Sequence, residues 1–158
     1  MKVNSAYRYE LKPNIAQRIL LAKHVGVARF AFNWGLAQRI AIYEENKKST
    51  NAIEQHRHLN SLKATEFPWM YEVSKCAPQE ALRDLDRAFQ NFFRGIQQGK
   101  PIGFPSFKKK GSRDSCRLTG TIKISEKLIQ LPRIGGDQTK RNIKAPRQNF
   151  VCNNRPRS

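Results

Sequence analysis

Between residues 19 and 41 apolar side chains return at the spacing of one helical face: Ile19, Leu20, Ala22, Val27, Phe30, Ala31, Trp34, Ala37, Ile40 and Ala41. Asn14, followed three residues later by Gln17, has the form of a capping box, each side chain satisfying a backbone N–H that the first turn leaves open. These signals predict a helix from Asn14 to about Asn46. Gly26 interrupts it, as a kink or as a close helix contact. After the loop Lys47–Thr50, Asn51 with Glu54 forms a second capping box and opens a shorter helix to about Thr65. Phe67-Pro68-Trp69 breaks that helix. A third starts near Ser74, with Pro78 tolerated in its first turn. Ala81, Leu82, Leu85, Ala88, Phe89, Phe92, Phe93 and Ile96 give it one broad apolar face, and Glu80, Arg83, Asp84 and Arg87 on the other face can pair at three-residue spacing. Gly99 supplies its stop.

The ends of the chain carry a different period. Residues 2–11 alternate loosely through Val3, Tyr7 and Tyr9 and predict a strand, ended by Lys12-Pro13 because proline drives its predecessor from the helical region. Pro101 to Pro105 is a turn-rich linker holding Phe104, with Phe107 just beyond it. Residues 116–124 and 128–134 predict two strands joined at Ser125-Glu126-Lys127, and the aperiodic, basic stretch 136–158 predicts a disordered tail. A lone strand is not stable, so 2–11 is expected to pair with the 116–134 hairpin. The predicted fold class is α+β, mostly helical. A helical insert (14–98) interrupts a small antiparallel β element made from residues 2–11 and a basic segment (103–135), together one domain over 1–135.

Charge then narrows the function. Thirty Lys and Arg stand against twelve Asp and Glu, a net of +18. Self-repulsion of that size calls for a polyanion, and ordinary small domains carry a net charge below about 8. Residues 1–99 hold a net of +6 and residues 100–158 a net of +12. Nucleic acid is the expected partner. A membrane is not, since no stretch approaches the roughly 18 consecutive apolar residues of a spanning helix and no signal peptide opens the chain. Cys76, Cys116 and Cys152 are odd in number and far apart, with no zinc-knuckle spacing. His56 and His58 lie two apart in a helical pattern, pointing in different directions, and are expected to be solvent-exposed. No metal, cofactor or small-molecule substrate is expected, and reduced thiols suggest the cytoplasm.

The candidate contacts follow. Lys108, Lys109, Lys110, Arg113 and Arg117 run into the basic hairpin without alternating acids, the pattern of a phosphate-tracking patch. Arg8 on the first strand is counted with them. Phe104 and Phe107 beside the patch are expected to plug a small core rather than stack on bases. Lys75 and Gln79, four apart on one face, suit guanine and adenine edges in a major groove and equally suit an ordinary polar helix start. Trp34 is expected in the core; Arg29 and Asn33 are read as structural before phosphate-binding.

The runs RFAFNWGLAQRIAIY (29–43), ALRDLDRAFQNFF (81–93), GFPSFKKKG (103–111) and KLIQLPRIG (127–135) stand in an order and spacing that resembles the N-terminal part of the TnpB (OrfB-type) proteins of insertion sequences. The resemblance covers roughly residues 2–135. It implies a wedge-type β-barrel with a helical recognition insert, and a role in RNA-guided DNA recognition, with Lys75 and Gln79 at positions where relatives read the short motif beside the target. That family continues into a RuvC-like nuclease with three metal-holding carboxylates and a zinc ribbon. Here only Asp137 follows Gly135, and no CxxC pair is present. The expectation is therefore a frameshifted or truncated copy, not an enzyme by itself, that binds guide RNA and target DNA without cutting. The alternative is a free-standing DNA- or RNA-binding regulator.

Overall fold

A computed structural model describes Ala6, residues 8–139 and residues 150–153; for 137–139 and 150–153 only the backbone is described. The long first helix, α1 (Ile15–Asn46), begins as its local sequence dictates. The Gln17 N–H donates to Asn14 Oδ1 and the Asn14 N–H to Gln17 Oε1, both at 2.9 Å. It ends where Lys47 turns left-handed (φ 54°) and its N–H caps the Tyr43 carbonyl. The next helix, α2 (Ala52–Leu62), is capped by Asn51, which accepts from the N–H groups of Ile53 and Glu54. The expected second half of that box is missing, because the Glu54 carboxylate accepts from the Thr50 hydroxyl instead. Phe67-Pro68-Trp69 breaks the chain as expected, into a short 3-10 turn over Pro68–Glu72. The third helix, α3 (Cys76–Gln97), closes through Gly99 at φ 64°, with the Lys100 N–H on the Gly95 carbonyl.

The three helices share one core. Leu36, Leu59, Leu82 and Leu85 have no exposed surface, and Ala31, Ala77 and Met70 fill between them. The close helix contact is at Gly35 and not at Gly26. A Cβ on Gly35 would stand 2.6 Å from Leu82 Cδ2, whereas nothing lies within 4 Å of one built on Gly26. Gly35 is what lets α1 and α3 approach. Trp34 packs half-buried against this core.

The β part departs from expectation in three places. In the expected first strand, only Leu11–Lys12 (β1) pairs among the described residues; Arg8 to Glu10 precede it without regular structure, and residues 1–5 and Tyr7 lie outside the description. The expected strand 116–124 is split into β2 (Ser115–Leu118) and β3 (Lys123–Ile124). Gly120, at φ 108°, turns the chain between them, so the two pieces join different sheets. The expected tail contains two strands: β5 (Gly135–Thr139) and β6 (Phe150–Asn153). The remaining tail residues, 140–149 and 154–158, lie outside the description. With β4 (Leu128–Leu131), β5 completes a four-stranded antiparallel sheet of order β1-β5-β4-β3, and β6 pairs with β2. The N-terminal strand thus joins the β3–β4 hairpin sheet, with β5 between them. Gln17 ties the helical part to this sheet, its side-chain amide donating to the Gly136 carbonyl at 2.7 Å.

Candidate nucleic-acid interface

The lysine run leaves α3 on an extended segment that α1 takes hold of. Asn33 grips Lys108 by its backbone at both ends: the Lys108 N–H donates to Asn33 Oδ1 at 2.8 Å, and Asn33 Nδ2 donates to the Lys108 carbonyl at 3.0 Å. One helical turn earlier, Arg29 Nη1 pairs with Asp114 Oδ1 at 3.0 Å, and the other oxygen of Asp114 accepts from the Gly111 N–H, also at 3.0 Å. Gly111 (φ 80°) and Arg113 (φ 54°) make the reversal between these anchors. Arg29 and Asn33 are therefore structural, as expected, but their partners lie 85 and 75 residues away rather than on the same helix.

This clamp sorts the predicted basic patch. Lys109, Lys110 and Arg113 are exposed, and none of them enters an ion pair among the described residues. Lys108 is exposed as well, but its ammonium sits 4.3 Å from the centre of the Phe32 ring. Loss of water there lowers its pKa from the usual lysine value, with nearby Asp84 opposing the shift. Arg117 differs from these in having an acidic partner. It is half-buried and bonds Asp84 at 3.4 Å, and its Nε is sealed without a hydrogen-bond partner.

Lys75 occupies the N-cap position of α3 and is exposed, while Gln79, one turn in, is half-buried. The start of α3 is fixed from α1 by His24, which is fully buried. The Ser74 N–H donates to His24 Nε2 at 3.0 Å, and the opposite ring nitrogen meets the Leu20 carbonyl at 2.7 Å. The ring is therefore neutral with its proton on Nδ1. Burial lowers its pKa most, the Leu20 carbonyl opposes this, and the charge of Arg133 adds to the lowering. Arg8 is exposed ahead of β1, and no described contact joins it to Lys75 or to the 108–113 turn.

Glu80 pairs with Arg83 at 2.7 Å and Asp84 with Arg87 at 3.2 Å, as expected, while Asp86 reaches outside its own helix to Arg39 on α1. Asp86 also accepts from the Ala52 N–H, coupling α3 to the start of α2. The aromatic residues of the linker do not form the expected plug. Phe104 stands edge-on to Phe89 and Phe92 while about half its surface (51%) stays open, and Phe107 is exposed to 52%. Phe104, Phe93 and Ile96 leave apolar surface at the end of α3.

One group of cations escapes sequence reading. Lys63, just past α2, is buried, and His56, one face-repeat earlier, is half-buried rather than solvent-exposed. Both have lowered pKa values, first through burial and then through positive neighbours that include Lys75. The seven-residue spacing of His56 and Lys63 was visible; the approach of α3 that adds Lys75 and Arg83 was not.

Among the described residues no helix is long and apolar enough to cross a membrane. Residues 1–48 match a family described as a helix-turn-helix domain of the OrfB IS605 type. Among the described residues this span holds one helix, α1, so a two-helix arrangement would have to reach past it to α2. The chain is 33% identical to the "Putative RNA-guided DNA endonuclease InsQ" of Escherichia coli (strain K12), over 85% of its own length and 33% of InsQ. It is 31% identical to a protein of the same designation from Mycobacterium tuberculosis (strain CDC 1551 / Oshkosh), over 88% of this chain and 35% of that one. A third, from Streptomyces pristinaespiralis, is 30% identical over 75% of this chain and 29% of its own length. The chain thus spans about a third of the length of these curated relatives. By its N-terminal domain match and by relatives that align with most of its length, the chain is a relative of the TnpB (OrfB-type) insertion-sequence proteins.

Proposed function

We propose that this chain is a nucleic-acid-binding module of the TnpB-like type, engaging guide RNA and target DNA through phosphate contacts and cutting neither by itself. The observation that carries the reading is the clamped turn. Arg29 and Asn33 fix the backbone from Lys108 to Asp114, so that Lys109, Lys110 and Arg113 stand exposed, without an ion pair among the described residues, on a chain of net charge +18. Cations held in place before binding meet a phosphate backbone at a smaller entropic cost than cations on a free loop. In this reading the helices act as the recognition insert of a wedge-type β element. Lys75 and Gln79, one exposed and one half-buried at the start of α3, reach base edges of target DNA, with Arg8 as a further phosphate contact. Binding without cleavage is supported by the acids of α3, Glu80, Asp84 and Asp86, each held by an arginine instead of converging as ligands.

The test is a triple variant, Lys109→Ala, Lys110→Ala and Arg113→Ala, compared with the parent on duplex DNA and on structured RNA across a salt series. Removing three phosphate contacts should make the slope of log affinity against log salt shallower by about two to three. Equal affinities at every salt concentration would refute the assignment of this turn. Incubating the parent protein with labelled DNA, RNA and magnesium should leave the strands intact.

A further inference from the structure

The end of α3 and the segment that follows it carry an aromatic face that the lysine turn does not use. Phe93 and Phe104 are exposed to 56% and 51%, and both rest on the same two rings. Phe104 stands edge-on to Phe89 and Phe92 at 5.4 and 5.3 Å, while Phe93 lies 6.2 Å from Phe89 and 5.3 Å from Phe92. Phe89 is held in turn by the Arg39 guanidinium, 5.1 Å from its ring centre. Ile102 seats the returning segment against α3 at Gly95, where an added Cβ would stand 2.8 Å from it. The Lys100 N–H on the Gly95 carbonyl is a second tie. The two open rings are therefore fixed before any partner arrives. Their surroundings carry one sign of charge. The sequence holds no acid between Asp86 and Asp114, and Arg94 and Lys100 are exposed without an ion pair among the described residues. Lys109 follows Phe104 by five residues, so their backbones are at most about 18 Å apart.

We propose that Phe93 and Phe104 form a stacking platform for unpaired bases of RNA, with the lysine turn taking phosphates of the same strand. The platform rests on the nucleic-acid reading above and adds a ligand chemistry that the turn alone cannot recognise. A single strand presents a π-face from every base and a charge from every phosphate, which matches open rings set among cations. Charge argues against a second copy as the occupant. Two such faces brought together would oppose cations of the same sign on chains of net charge +18. Duplex DNA keeps its bases stacked inside, whereas the loops and ends of a folded RNA offer them unpaired. A base laid on either ring takes apolar surface out of water, and the ordering cost is small because the rings are already held.

The double variant Phe93→Leu with Phe104→Leu tests the platform, because leucine keeps apolar contact with Phe89 and Phe92, removes both open π-faces and alters no charge. Fluorescence anisotropy compares it with the parent on a short oligouridylate and on a blunt RNA duplex. The single strand should bind the variant roughly 5- to 10-fold more weakly with an unchanged salt slope, and the duplex should bind both proteins alike. Phe93→Trp should tighten the single strand, and a 2-aminopurine placed in that strand should be quenched on binding the parent and less so on the double variant. If the double variant fails to fold, Phe93→Leu alone carries the same comparison, since more than half of that ring is open. A folded variant that binds the single strand as the parent does refutes the platform, while salt-dependent duplex binding keeps the nucleic-acid reading. Equal losses on single strand and duplex would make the rings mere supports of the lysine turn and also refute it. A concentration-dependent dimer in sedimentation, abolished by the double variant, would give the face to a second copy. An oligothymidylate that loses as much as the RNA would overturn RNA as the occupant in favour of an opened DNA strand. A parent that ignores every polynucleotide would overturn the nucleic-acid reading, and the platform with it.

Discussion

Asn33→Ala separates the geometry of the lysine turn from its charge. The substitution removes both hydrogen bonds that hold Lys108, at 2.8 and 3.0 Å, and changes no ionisable group. A net hydrogen bond contributes about 0.5–1.5 kcal/mol, so the pair is worth about 1–3 kcal/mol. Both lie at the surface, where water can replace them, which places the loss in the lower half, about 1–2 kcal/mol. If the turn must then be ordered by its ligand, binding weakens by a factor of roughly 5–30. The salt slope should not change, because Lys109, Lys110 and Arg113 remain available to release counterions. Fluorescence anisotropy on duplex DNA over a salt series reads both quantities, and hydrogen exchange at the Lys108 and Gly111 amides reads the clamp itself. Faster exchange at Lys108 with unchanged affinity would show that pre-ordering of the turn is irrelevant to binding. A shallower slope would show that Asn33 acts on charge and not on geometry.

The buried, neutral His24 links stability to pH. Its folded pKa lies below the ordinary 6.5, so the unfolded chain takes up the proton first. Its contribution is full above pH 6.5 and declines as the pH falls through 6.5 toward the lower folded value; urea midpoints on either side of 6.5 should show a decline in the parent and a smaller one in His24→Gln, where His56 still contributes. Gly35→Ala should destabilise by about 1–3 kcal/mol in thermal melts, because its Cβ would meet Leu82 Cδ2 at 2.6 Å, whereas Gly26→Ala, with open space around it, should be neutral or slightly stabilising.

What could be read in the sequence is what local chemistry decides. The Asn14–Gln17 box, the long α1 and the Gly99 stop each depend on residues within a turn or two of one another, and each stands where expected. Pairings between distant segments were not readable. Gly26 and Gly35 look alike in a helical pattern; only the arrival of Leu82 distinguishes them. The strand β5 begins with Gly-Gly and has no alternation, so its conformation comes from pairing with Leu128–Leu131 on one side and Leu11–Lys12 on the other. Gly136 also lets the Leu128 side chain close on the strand, where a Cβ would stand 3.3 Å from it.

The candidate site divides along the same line. The charge of the 108–117 run was evident, but its partition was not. Arg117 looks like any other cation of the run until the fold sets Asp84 beside it. The Arg29–Asp114 and Asn33–Lys108 contacts join two sequence motifs that are each recognisable alone, and whose relation appears only once α1 lies along the linker. Lys63 is a lone lysine in the sequence, and its burial just past α2 is set by tertiary packing alone.

The claim beneath all of this is that a fixed set of cations engages phosphate. It is tested most directly by the affinity of the full chain for duplex DNA and structured RNA as sodium chloride is raised. The account predicts tight binding in dilute buffer that falls steeply, with log affinity linear in log salt and a slope of at least about −3 from the 109–113 turn alone. A flat response, or no binding at the lowest salt, would contradict it.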